Sequence, residues 1–69
     1  MNVYVFKTSI NQKDVRLVNA ILRSVIPDSR WNFDLEDRDK ILRIESKTDI
    51  VETVCFNLEI EGIRCKELE

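Results

Sequence analysis

The hydrophobic period of this chain switches from strand-like to helix-like and back, and then does so a second time. A period of two residues puts apolar side chains on one face of a strand. A period of about 3.6 puts them on one stripe of a helix, and a segment patterned for one cannot bury itself as the other. The chain therefore reads as six elements in the order strand, helix, strand, strand, helix, strand.

The first of these, Asn2 to Thr8, is an unbroken run of β-branched and aromatic residues, as expected of a central strand. Both of its faces are apolar, so either Val3 and Val5 or Tyr4 and Phe6 must lie on the side that helices leave open. The loop Thr8 to Asp14 follows. Asn11 is placed to cap a helix, with Asp14 three residues on as its capping-box partner. Val15, Val18, Leu22 and Val25 then recur at helical spacing, widened by Leu17 and Ile21, until Pro27 ends the helix.

Arg30 to Glu36 alternates, with Trp31, Phe33 and Leu35 against Asn32, Asp34 and Glu36, and predicts a half-buried edge strand. Asp37 to Asp39 is a polar turn, and Lys40 to Glu45 alternates again, which completes a β-hairpin. Ser46 with Asp49 predicts the cap of a second helix, whose stripe is Ile50, Val51, Val54, Cys55 and Leu58. Phe56 and Ile60 fall off that stripe. Gly62 stops the helix, Ile63 makes the apolar contact that goes with such a stop, and Arg64 to Leu68 returns as a short last strand.

This order is the split βαβ arrangement of ferredoxin-like folds: an α+β sandwich, βαββαβ. Right-handed crossovers place both helices on one face of a four-stranded antiparallel sheet. Sixty-nine residues suit one domain, residues 1–69, and in a core this small nearly every large apolar side chain is needed for packing. The open face of the sheet is then the place for a partner. Tyr4, Phe6 and Ile41 are the candidate partner-binding residues there, for a protein partner or for a second copy forming a homodimer through the sheet.

Composition excludes several classes. Acids and bases are interspersed at a formal net charge of -2, with no basic stripe for nucleic-acid phosphates. No apolar run is long enough to span a membrane, and Met1 leads straight into a strand, so a cytoplasmic protein that binds neither nucleic acid nor membrane is expected. The chain has no histidine, and no serine stands in a motif that supplies a base, so no enzyme and no cofactor are expected. Asp34, Glu36, Asp37 and Asp39 form an acidic cluster, but Arg38 and Lys40 interleave with it and it reads as a solvated turn. Cys55 and Cys65 are too far apart in sequence for a metal or redox motif and are expected as packed thiols, Cys55 on the helix stripe and Cys65 facing inward.

Several features coincide in one known module. Val18 and Leu22 precede Ile26-Pro27-Asp28, then comes the Asp34-Leu35-Glu36 strand, and the second helix ends Leu58-Glu59-Ile60-Glu61-Gly62-Ile63. With these the chain resembles the heavy-metal-associated domain, the metallochaperone-like family, over nearly its whole length, with Ile63 where the family has tyrosine. That resemblance implies the ferredoxin-like fold. The family binds soft metals such as Cu(I) through Met-Thr-Cys-x-x-Cys in the first loop, and the two cysteine positions fall here on Asn11 and Asp14. Hard oxygen donors do not suit such ions, so no metal is expected at that loop. The resulting expectation is a noncatalytic interaction or regulatory module working through its open sheet face or the Thr8 to Asp14 loop. The alternative is a divergent heavy-metal carrier that uses Cys55, Cys65 or loop oxygens.

Overall fold

The first strand is hydrogen-bonded on both sides, as its unbroken apolar run requires. The computed structural model describes residues 2–68. In it β1 (Asn2–Thr8) is followed by a 3-10 turn (Gln12–Asp14), α1 (Val15–Val25), β2 (Arg30–Asp34), β3 (Ile41–Ser46), α2 (Val51–Ile60) and β4 (Cys65–Leu68). The four strands form one antiparallel sheet in the order β2-β3-β1-β4. This is the ferredoxin-like α+β architecture that the order of periods predicts, with β2 at an edge.

Register assigns the faces. Phe6 stands opposite Leu42 and Tyr4 opposite Ile44, and cross-strand partners share a face. Phe6, Leu42 and Ile44 are completely buried, in one cluster with Val18 and Leu22 of α1 and Val54 and Leu58 of α2. Both helices therefore cover this one face. Each such side chain contributes about 1.5–3 kcal/mol by leaving water.

Local chemistry fixes the element ends. The Asp14 carboxylate accepts the Asn11 N–H at 2.9 Å, and the Asp14 N–H donates to the Asn11 carbonyl at 2.8 Å, which starts the 3-10 turn leading into α1. Ser46 does not cap α2 as expected. It is the last residue of β3, is buried, and its hydroxyl accepts the Thr48 N–H at 3.3 Å. Asp49 takes the capping role, accepting the Val51 N–H at 3.1 Å.

The β2–β3 loop has no glycine, and Lys40 adopts the left-handed region at φ 49°. Asp37 holds it: its carboxylate accepts the Asp39 N–H at 2.8 Å and its carbonyl accepts the Lys40 N–H at 2.9 Å. β2 accordingly ends at Asp34, two residues before the expected Glu36. At the far end of α2, Gly62 (φ 80°) gives its N–H to the Glu59 carbonyl at 2.9 Å, and Ile63 gives its own to Leu58 at 3.0 Å. These two bonds define the Schellman stop, and both Leu58 and Ile63 are buried.

Candidate functional site

Three places could carry function: the first loop, the open sheet face, and the outer side of α2 with its cysteine. In the loop, the polar groups hold the fold together. Thr8 is buried, donates its hydroxyl to the Lys40 carbonyl, and accepts the Ile10 N–H at 3.1 Å. Ser9 N–H meets the Arg64 carbonyl at 3.1 Å, while the Ser9 hydroxyl accepts the Arg64 N–H at 2.8 Å. Ile10 is completely buried in the core. The loop is thus pinned to the ends of β3 and β4, and Asp14 is engaged with the Asn11 backbone. Among the described residues, no group of three or more His, Cys, Asp or Glu side chains is placed to hold a metal ion.

The open sheet face corrects the expected partner surface. Phe6 is completely buried and Tyr4 packs half-buried against the core, so both belong to the helix-covered side. The register that pairs Phe6 with Leu42 and Tyr4 with Ile44 puts this pair, and not Val3 and Val5, on the inward face. Ile41 does lie on the open face, opposite Lys7 and Asp34, yet it is only 6% exposed and offers no surface to a partner. What that face shows instead is Val3, 62% exposed, and Val5 opposite Leu68.

The larger apolar surface is on α2. Phe56 is 65% and Ile60 63% exposed, and four-residue spacing puts them one above the other on the same helix face. Glu52, one turn before Phe56, continues that line, and Glu52, Thr53, Cys55, Asn57 and Glu59 line a shallow hollow beside the phenyl ring. From Val51 to Ile60 the helix carries acids and no base.

The cysteines, ten residues apart in sequence, meet in space. Cys55 on α2 and Cys65 at the start of β4 have their sulfurs 3.1 Å apart. Cys65 is buried and Cys55 half-buried, so both are packed thiols as expected, but they pack on each other. Burial pushes the Cys65 thiol far above its ordinary range, reinforced by Cys55 and by the Glu59 carboxylate. Burial also raises Cys55, with Glu59 and Glu67 adding to the effect and the contact with Cys65 partly opposing it.

Sequence reasoning named this pair only as an alternative, because the contact is made by the docking of α2 on β4. The short connection Glu61–Arg64 was the available signal, since it keeps the start of β4 beside the last turns of α2. Sequence reasoning missed the bond from Trp31 Nε1 to Asn19 Oδ1, 2.9 Å long, which ties β2 to α1. In comparisons with known proteins, no family model, no curated protein and no solved structure matches the chain. No helix of the described residues is long and apolar enough to cross a membrane.

Proposed function

We propose that the chain is a noncatalytic interaction module on a heavy-metal-associated-like scaffold, docking a protein partner on the outer face of α2. One observation carries this reading. Phe56 and Ile60 are left largely exposed, one turn apart, in a domain so small that its other large apolar residues are mostly needed for the core. An aromatic and a branched side chain flanked by Glu52 and Glu59 fit a partner with an apolar pocket and a basic rim. A second copy fits less well, since α2 against α2 would set acids against acids. The first loop supports the reading by its chemistry: Asn11 and Asp14 are hard donors, and Asp14 is engaged as a cap.

Native mass spectrometry of reduced protein, with and without stoichiometric Cu(I) and Zn(II), tests the proposal against the carrier alternative. The expected spectrum is a metal-free single subunit. Tight uptake of either ion, lost in Cys55→Ser or Cys65→Ser, would overturn the interaction reading in favour of a divergent heavy-metal carrier.

A further inference from the structure

We propose that Cys55 and Cys65 form a redox-active dithiol, closing to an intramolecular disulfide by exchange with a low-molecular-weight disulfide. The inference rests on the placement of the two sulfurs and is independent of how α2 is used. At 3.1 Å the sulfurs are already in contact. A disulfide needs them at about 2.05 Å, reached by a small approach of two side chains.

Exposure sets the order of events. Cys55 opens onto the shallow hollow of α2, while Cys65 is only 8% exposed. The Cys55 thiol, held above its ordinary value, must first lose its proton; the thiolate then attacks one sulfur of the small disulfide, breaking its S–S bond, and the proton leaves with the released small thiol. Cys65 then gives up its proton and attacks the Cys55 sulfur, and the second small thiol leaves. The protein loses two hydrogens and two electrons, and the small disulfide is reduced to two thiols. The new bond ties α2 to β4, an edge strand held in the sheet by β1 alone.

The test incubates reduced full-length chain with mixtures of oxidised and reduced glutathione and reads intact mass, a peptide map and thermal unfolding. The expected product is a monomeric chain lighter by two hydrogens, with Cys55 linked to Cys65. Its melting temperature should exceed that of the reduced form by on the order of 10 °C. Cys65→Ser should stop at a glutathione adduct on Cys55, and Cys55→Ser should react far more slowly, through the buried Cys65. Glutathione adducts on both cysteines of one chain, disulfide-linked dimers alone, or a chain that stays reduced would each overturn the proposal.

Discussion

Two phenylalanines make the residue-scale case, because the same side chain is placed in opposite surroundings. Phe6→Ala should cost about 3–5 kcal/mol in urea unfolding, since a completely buried ring leaves a cavity. Phe56→Ala should stay within about 0.5 kcal/mol of the parent, as surface substitutions do. Comparable costs at the two positions would mean that the outer side of α2 is covered. The inward turn of Phe6 could not be read from the sequence. β1 is apolar on both faces, so its period leaves the parity open, and only the register against Leu42 and Ile44 settles it. Off-stripe placement of Phe56 was legible, because a helical stripe has a definite back.

The thiols give a residue-scale pH dependence. In the folded chain both are held above their ordinary value of 9.0. Above about pH 9 the unfolded chain therefore releases thiol protons that the folded chain keeps, and unfolding is favoured. Their contribution to stability is complete below that pH and is lost as pH rises through the folded-state values. Urea midpoints under reductant should thus fall between about pH 8 and about pH 10, and fall less in a Cys55→Ala, Cys65→Ala double variant. Parallel falls in the two proteins would show that the thiols are not the groups responsible.

Element ends are the next scale, where short motifs act through the backbone. At Gly62 an added Cβ would meet nothing within 4 Å, so the cost of Gly62→Ala is that of the left-handed backbone alone, about 1 kcal/mol. Asn, which tolerates that region, should cost less than Ala when both variants are unfolded in urea. Equal costs would point to something other than backbone conformation. Asp14→Ala should lose about 1 kcal/mol through the Asn11 N–H it leaves without its carboxylate, a loss measurable by the same unfolding.

These stops and starts were largely legible, because Gly62 and Asp14 act on neighbours in sequence. The exception is instructive: Ser46 has the right spacing to Asp49 for a capping box, but β3 runs one residue further and uses it as a strand residue. A buried place beside the core outweighs a local cap worth about a kilocalorie.

For the whole molecule, the ferredoxin-like arrangement follows from the order of periods plus right-handed crossovers, and both act before any side-chain detail matters. Function is the part that this logic does not reach. The element order supplies a ferredoxin-like scaffold, while the first loop is occupied by Asn11 and Asp14 and tied to the ends of β3 and β4. The exposed apolar pair on α2 is Phe56 with Ile60, where we propose that a basic-rimmed protein partner docks. Site-specific photo-crosslinking from position 60 in the native host tests this most directly, with the same label at exposed Arg38 as the control. One discrete adduct with a different protein is expected from position 60, lost in Phe56→Ala and absent from position 38. An adduct only with a second copy, or a pattern identical to that from Arg38, would contradict it.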